Sequence, residues 1–152
     1  MKRLIALLIC LVMVFSVSSV FADGEIVDVI VDGEVMEFDV PARIYADRTM
    51  VPMRAIFEKL GAEVVWIEGD QLIFAVKDAI SITMKIDQGF FTVENLLTDD
   101  SRRVELDVFP FIMESRTLVP VRAVAESFDC TVEWDEDNRQ VIITSNEIKA
   151  AD

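Results

Sequence analysis

The protein has 152 residues, enough for one ordinary domain, with 28 acidic against 14 basic residues and a formal net charge of −14. This acidity disfavours binding to nucleic acid or to anionic lipid head groups, because both would be repelled. The sequence contains no histidine, which removes the usual general base and the commonest transition-metal ligand.

The first 22 residues have the pattern of an export signal. Lys2 and Arg3 precede an apolar run over residues 4–15, and Val20-Phe21-Ala22 resembles a cleavage site. Serines interrupt the apolar run, so a retained membrane helix is the weaker interpretation. We therefore expect cleavage after Ala22, a secreted or envelope-associated protein, and no stable membrane span after cleavage.

Residues 23–144 are predicted to form one domain, followed by a flexible tail over residues 145–152. The domain begins with a hairpin between residues 26–31 and 34–39, because Asp32-Gly33 between them is a strong two-residue turn signal. Residues 42–47 are predicted to form a connector.

A short helix is predicted next. Pro52 suits the first helical position, and residues 53–60 carry apolar side chains at i, i+3, i+4 and i+7. Gly61 would end this helix in a left-handed conformation. A hairpin between residues 64–67 and 72–76 follows.

The middle of the chain is predicted to be extended. Residues 80–86 alternate between apolar and polar side chains, which is typical of a half-buried antiparallel strand. Residues 90–94 form a further strand. The polar stretch 98–103 is predicted to lead into a strand at residues 104–108.

One stretch occurs twice. Residues 48–66 read RTMVPMRAIFEKLGAEVVW and residues 116–134 read RTLVPVRAVAESFDCTVEW, 68 positions apart without insertion or deletion. A second helix and a hairpin between residues 131–135 and 140–144 are therefore expected. This spacing indicates an internal duplication, with repeats at about 26–75 and 94–143.

The sequence thus predicts an α+β domain, in which an antiparallel sheet of short hairpins packs on two short helices with pseudo-two-fold symmetry. The motif residues predicted to matter structurally are Arg48, Pro52, Arg54, Glu58, Trp66, Arg116, Pro120, Arg122, Glu126 and Trp134.

The doubled RTxVPxRA…E…VxW pattern resembles the copper amine oxidase-like N-terminal domain, also called the stalk domain, over roughly residues 26–144. The resemblance implies a bacterial, envelope-associated setting and a non-catalytic domain, since the copper and quinone sites of the oxidases lie in a different domain. The second copy departs from the pattern at Phe128-Asp129-Cys130, which replaces Leu-Gly-Ala. The first copy has Ile67 where the family usually has aspartate, which Asp135 retains.

Glu58 and Glu126 are the acidic pair at equivalent places. Two carboxylates can perform acid/base hydrolysis. An arginine lies four residues before each of them, however, at Arg54 and Arg122, so an ion pair along the side of each helix is favoured.

Trp66 and Trp134 could stack on sugar rings, but packing on the core is favoured, because large aromatic side chains usually anchor cores. Arg48 and Arg116 could satisfy loop carbonyls or hold an anion, and the structural role is again favoured.

Two further candidates have structural explanations. The run Asp135-Glu136-Asp137-Asn138 superficially resembles a calcium loop, but it lacks the required glycine and final glutamate, so a polar turn is favoured. Cys130 could pair between chains. It occupies the position of Ala62 in the first copy, which favours simple packing of a small side chain.

The sequence therefore predicts no catalytic residue, metal or cofactor. The favoured function is a non-catalytic exported stalk or interaction module at the bacterial cell envelope, whose partner is a cell-wall polymer or another envelope protein. The alternatives are an extracellular polysaccharide- or cell-wall-binding module and, less favoured, a carboxylate-dependent hydrolase.

Overall fold

The computed structural model describes residues 24–146, which form thirteen strands and two short helices. The strands are β1 (Asp28–Val31), β2 (Glu34–Val35), β3 (Arg43–Tyr45), β4 (Arg48–Pro52), β5 (Glu63–Ile67), β6 (Leu72–Lys77), β7 (Ile80–Lys85), β8 (Phe90–Asn95), β9 (Asp100–Glu105), β10 (Phe111–Met113), β11 (Arg116–Pro120), β12 (Cys130–Asp135) and β13 (Gln140–Ser145). The helices are α1 (Met53–Lys59) and α2 (Val121–Ser127). The predicted export signal and residues 147–152 of the predicted tail lie outside the described residues.

The strands form three sheets, ordered β12-β13-β1-β2, β10-β11-β4-β3 and β5-β6-β7-β8-β9. All strand pairs but one are antiparallel, and the prediction of an α+β class is confirmed. The prediction of one antiparallel sheet was wrong in two respects. There are three sheets among the described residues, and β1 runs parallel to β13, with Asp28 beside Gln140. A parallel pair needs a long crossover, here nearly the whole domain, and therefore leaves no local signal.

The sheet β10-β11-β4-β3 joins the two motif copies, because β4 belongs to the first copy and β11 to the second. Val51 lies opposite Val119, while Met50 faces Pro120 and Pro52 faces Leu118. Because these positions are related by the offset of 68, the register is symmetric about the central valine pair. Both valines are fully buried.

Both helices rest on this central strand pair. Each contacts β4 and β11, and in addition α1 contacts β5 and α2 contacts β12. The rings of Phe57 and Phe128 meet edge to face with centroids 5.7 Å apart. Helices of seven residues are not stable alone. The apolar stripe predicted over residues 53–60 stabilises α1 because Ile56 and Phe57 are completely removed from water.

Several local predictions agree with the structure. Asp32 and Gly33 both have positive φ, 50° and 83°, as a type I′ hairpin turn requires. Gly61 ends α1 with a φ of 86°, and Asp129 takes the same role after α2 with a φ of 59°. The predicted role of Pro52 was wrong. It has an extended backbone and is the last residue of β4, so that α1 begins at Met53.

Other local predictions were also wrong. The supposed connector at residues 42–47 contains β3, and β10 was not predicted. The polar stretch 98–103 belongs largely to β9, and the strand predicted at residues 104–108 ends at Glu105. β9 is an edge strand whose side chains are mostly exposed, so it has no apolar alternation.

The predicted tail begins too early. Ser145 is the last residue of β13, and it forms two hydrogen bonds with Asp32, which lies in the turn between β1 and β2. The backbone N–H of Ser145 donates to Asp32 Oδ1 at 2.7 Å, and its hydroxyl donates to Oδ2 at 2.8 Å. The end of β13 is therefore tied to the turn between β1 and β2.

The two motif copies lie on elements with the same order. β3, β4, α1, β5 and β6 correspond to β10, β11, α2, β12 and β13, and their first and last residues agree with the offset of 68 to within one position.

Candidate binding grooves

The ten motif residues line two open grooves, five in each. The large groove has a volume of about 900 Å³, and the motif residues in its lining are Arg48, Pro120, Arg122, Glu126 and Trp134. The small groove has a volume of about 690 Å³, and the corresponding residues are Pro52, Arg54, Glu58, Trp66 and Arg116. Each groove therefore takes its helix and tryptophan from one motif copy and its first arginine from the other.

The two grooves correspond beyond the motif itself. Thirteen residues line the small groove, and twelve of them have their counterpart at an offset of 68 in the large groove. The small-groove members of these pairs are Asp39, Pro52, Met53, Arg54, Ala55, Glu58, Trp66, Gln71, Ile112, Ser115, Arg116 and Thr117. The exception is Glu68. The grooves are thus matched surfaces, positioned by the symmetric β4–β11 register.

The first arginine of each motif lines a groove, where it forms an ion pair with an aspartate and a hydrogen bond with a backbone carbonyl. Arg48 forms an ion pair with Asp107, and its Nη1 donates to the carbonyl of residue 47 at 3.0 Å. Arg116 forms the equivalent ion pair with Asp39 and donates to the carbonyl of residue 115 at 3.2 Å. The hydrogen bond from Arg116 lowers the pKa of the Asp39 carboxyl. Both guanidinium groups thus satisfy loop carbonyls, as one hypothesis from the sequence had it.

The second arginine of each motif pairs along its helix. The Nη1 atoms of Arg54 and Arg122 lie 3.5 Å from carboxylate oxygens of Glu58 and Glu126, respectively. All four side chains are more than half exposed, so each pair contributes little to stability. The two glutamates line different grooves and do not form a carboxylate dyad. The hydrolase interpretation therefore loses the acid pair on which it depended.

Each tryptophan contacts the hydrophobic core with one part of its side chain and lines a groove with another. Trp66 and Trp134 are partly buried and pack against the main hydrophobic cluster, and each also lines a groove. The indole N–H of Trp134 donates to Glu136, and the guanidinium of Arg139 lies 5.1 Å from its ring centroid. In the small groove, Gln71 takes the position of Arg139.

The large groove has an additional wall built from β9 and the residues after it. Arg102 lies in this wall and donates from Nη2 to the Ser127 hydroxyl at 3.4 Å. Among residues 24–146 this guanidinium has no carboxylate partner. Sequence reasoning missed Arg102 because β9 has no strand-like pattern. The fold alone brings it beside α2.

The large groove also carries an ion-paired corner. Arg139 Nε donates to Glu25 Oε1 at 2.9 Å, and Nη1 donates to Glu136 at 3.2 Å. The hydrogen bonds that Arg139 donates to Glu25 raise the pKa of Arg139 further above its ordinary value. This corner holds Arg139 over Trp134 at the groove surface.

The residues of this chain do not suit a copper site like that of the copper amine oxidases. It contains no histidine, and within the described part no group of three or more histidine, cysteine or acidic side chains could hold a metal ion. Cys130 is buried, and burial raises the pKa of its thiol. Copper prefers imidazole or soft sulfur ligands in a cluster, which these residues do not supply.

The supposed calcium loop is a hydrogen-bonded turn. Asp135 accepts from the backbone N–H of Asn138 at 3.1 Å and from its side-chain amide at 2.8 Å, and also from Gln140 at 3.1 Å. These bonds lower the pKa of Asp135. The carboxylate oxygens are thus already used to close the β12–β13 turn.

The fold and its grooves define a small α+β module that presents two matched open surfaces. The chain belongs to the copper amine oxidase N-terminal domain family, whose model matches residues 30–143. That domain is non-catalytic. No curated protein matches the chain significantly. Between residues 24 and 146, neither helix has the length and apolar character that crossing a membrane requires.

Proposed function

We propose that the protein is an exported, non-catalytic interaction module that serves as a stalk at the bacterial cell envelope. The observation that carries this proposal is the placement of the ten motif residues along two open grooves. Side chains kept in duplicate at a surface, and already neutralised by ion pairs, suit recognition better than acid/base chemistry.

Export is supported by the signal-like pattern of residues 1–22. The test is expression of the full chain in a bacterial host, followed by N-terminal sequencing of the product outside the cytoplasm. We expect a new N-terminus at Asp23. A product that keeps Lys2 and Arg3, or that stays in the cytoplasm, would contradict this part of the proposal.

An internal duplication is supported by the equal order of elements, the symmetric β4–β11 register and the matched grooves. In an experimental structure, superposing residues 48–75 on 116–143 should bring Pro52 onto Pro120 and Trp66 onto Trp134. Two copies with unrelated backbone conformations would refute the duplicated unit.

The favoured partner is a cell-wall polymer, and another envelope protein is the alternative. The test is co-sedimentation of the purified protein with isolated bacterial cell walls, before and after protease treatment of the walls. We expect binding that survives protease treatment and weakens when Trp66 and Trp134 are both replaced by alanine. Leu97→Ala is the control, since Leu97 is 83% exposed and does not line either groove. Loss of binding after protease treatment would indicate the protein partner instead.

A further inference from the structure

Most of the arginines along the two grooves are neutralised by ion pairs. Three of the four arginines in the large groove form ion pairs with carboxylates that line the same groove: Arg48 with Asp107, Arg122 with Glu126, and Arg139 with Glu25. Both arginines of the small groove are paired in the same way. The lining carboxylates outnumber the arginines only slightly, six to four in the large groove and three to two in the small one. Neither groove therefore offers the strong single-sign field that selects a polyanion or a polycation.

The groups that remain available are hydrogen-bonding ones beside an aromatic ring. A paired guanidinium keeps N–H donors in excess, and a paired carboxylate keeps acceptor positions, so both can bond to hydroxyl groups. Arg102 adds donors that no carboxylate occupies among residues 24–146. A surface that combines an apolar ring face with dense donors and acceptors of both kinds complements a sugar, which has apolar C–H faces and hydroxyl edges.

The ligand should also repeat. Twelve lining positions of the small groove recur in the large one, so both grooves offer nearly the same chemistry. A polymer of identical units fits two such sites. The protein's formal charge of −14 disfavours an anionic polymer at either of them.

We propose that the two grooves are paired subsites for an uncharged polysaccharide, with Trp66 and Trp134 as stacking platforms, and that the small groove is the tighter subsite. This inference rests on the proposed function as an interaction module. In the large groove the guanidinium of Arg139 lies over the Trp134 ring, where a sugar would stack, whereas the small groove has the uncharged Gln71 at that position. A sugar must therefore displace Arg139 before it stacks on Trp134, which makes the small groove the tighter subsite.

The first test is calorimetric titration of the purified protein with hexamers of β-1,4-linked glucose and of β-1,4-linked N-acetylglucosamine. We expect at least one of them to bind at two unequal sites per chain. Oligogalacturonate and oligolysine, the charged controls, should not compete. Binding of neither uncharged hexamer, or binding of a charged oligomer alone, would overturn the proposal.

The second test assigns the sites. Trp66→Ala should weaken the tighter site and Trp134→Ala the weaker one, each by about tenfold or more, the loss typical of an aromatic anchor. Leu97→Ala should leave both affinities unchanged. Folded variants of both tryptophans that bind like the parent protein would refute the stacking platforms.

A further pair of substitutions keeps both tryptophans and so avoids any loss of folding. Gln71 and Arg139 have similar backbone conformations, with φ of 50° and 54°. Arg139→Gln should therefore strengthen the weaker site by about two- to fivefold, because a sugar no longer has to displace an exposed cation–π contact, and Gln71→Arg should weaken the tighter site. Two unchanged affinities would show that this pair of positions does not distinguish the grooves.

The cell-wall experiment separates this inference from the function beneath it. If protease-treated walls still retain the protein while both uncharged hexamers fail, the interaction module stands and the ligand class is wrong. If neither the walls nor the hexamers bind, both proposals fall.

Discussion

At the scale of single residues, each tryptophan serves the core on one side and the groove on the other. Trp66 and Trp134 are only partly buried, although both pack against the main cluster. We expect Trp66→Ala and Trp134→Ala each to lower the free energy of unfolding by about 2–3 kcal/mol, less than the 3–5 kcal/mol of a fully buried indole. Urea denaturation measures this loss. A cost below about 0.5 kcal/mol for either variant would show that its ring does not support the core.

Gly61 carries a second prediction about one residue. Its φ of 86° lies in the left-handed region, where a Cβ atom is strained, although the space around it is open. Gly61→Ala should therefore destabilise the protein by about 1–2 kcal/mol. Gly69→Ala is the matched control. Gly69 also faces open space but has no left-handed backbone, so we expect a change within about 0.5 kcal/mol.

An equal loss for both glycine variants would mean that backbone conformation does not set the cost at Gly61. The second motif copy already supplies a natural comparison, because Asp129 occupies the equivalent position with a φ of 59°. Aspartate tolerates this conformation better than most residues, which explains why α2 ends correctly without a glycine.

The ten motif residues could be identified from the sequence because they recur at a constant offset. The way in which these residues combine into two grooves could not be predicted from the sequence. Arg48 and Arg116 each line the groove whose helix and tryptophan come from the other copy. That exchange follows from the antiparallel pairing of β4 with β11, a contact 68 residues apart that no local pattern reports.

At the scale of elements, the hairpins with strong turn signals were predictable, whereas β3, β9 and β10 were not. The Asp32-Gly33 turn, the β5–β6 hairpin and the β12–β13 hairpin all follow from their own residues. β3 and β10 have only three residues each, too few to show a period. β9 is held by its pairing with β8 and not by burial, so its polar sequence is a consequence of its place at the sheet edge.

The contact between Asp32 and Ser145 makes stability depend on pH. Hydrogen bonds from the backbone and hydroxyl of Ser145 hold the pKa of Asp32 below its ordinary value of 3.8. A carboxyl whose pKa is lowered by folding stabilises the folded state above its unfolded pKa of about 3.9, and this contribution is lost as the pH falls through the lower, folded value. Asp32→Asn should therefore destabilise the protein at pH 7, and the difference from the parent should shrink at about pH 2–3.

Urea midpoints of the parent and the variant at both pH values measure this effect. Ser145→Ala is the partner variant, and it should show a coupled, non-additive loss with Asp32→Asn, because both remove the same hydrogen bond. A destabilisation of Asp32→Asn that is equal at pH 7 and at low pH would exclude the ionised carboxylate as its cause.

At the scale of the whole molecule, the two motif copies form one structure rather than two independent units. β4 pairs with β11, and each helix packs on the central strand of the other copy. The main hydrophobic cluster contains residues of both copies, among them Phe57 and Phe128. The first and last strands of the described chain lie side by side as β1 and β13.

This sharing predicts that the two halves unfold together in one transition. The sequence contains two tryptophans, one in each copy, so single-tryptophan variants report on each half separately. In Trp66→Phe the remaining fluorescence comes from Trp134 on β12, and in Trp134→Phe it comes from Trp66 on β5. Phenylalanine keeps an aromatic ring at each site and limits the loss of packing.

For each variant we expect the urea midpoint from tryptophan fluorescence to coincide with the midpoint from far-ultraviolet circular dichroism, because neither half can lose its sheet partner and remain folded. Val65→Ala in each background provides a control, since Val65 lies on β5 but is 54% exposed and should not separate the two signals. Two transitions, with the Trp66 and Trp134 signals changing at different urea concentrations, would show that the halves fold independently. The cross-copy grooves could then exist in only part of the folded population, because each needs an arginine from one copy beside the helix of the other.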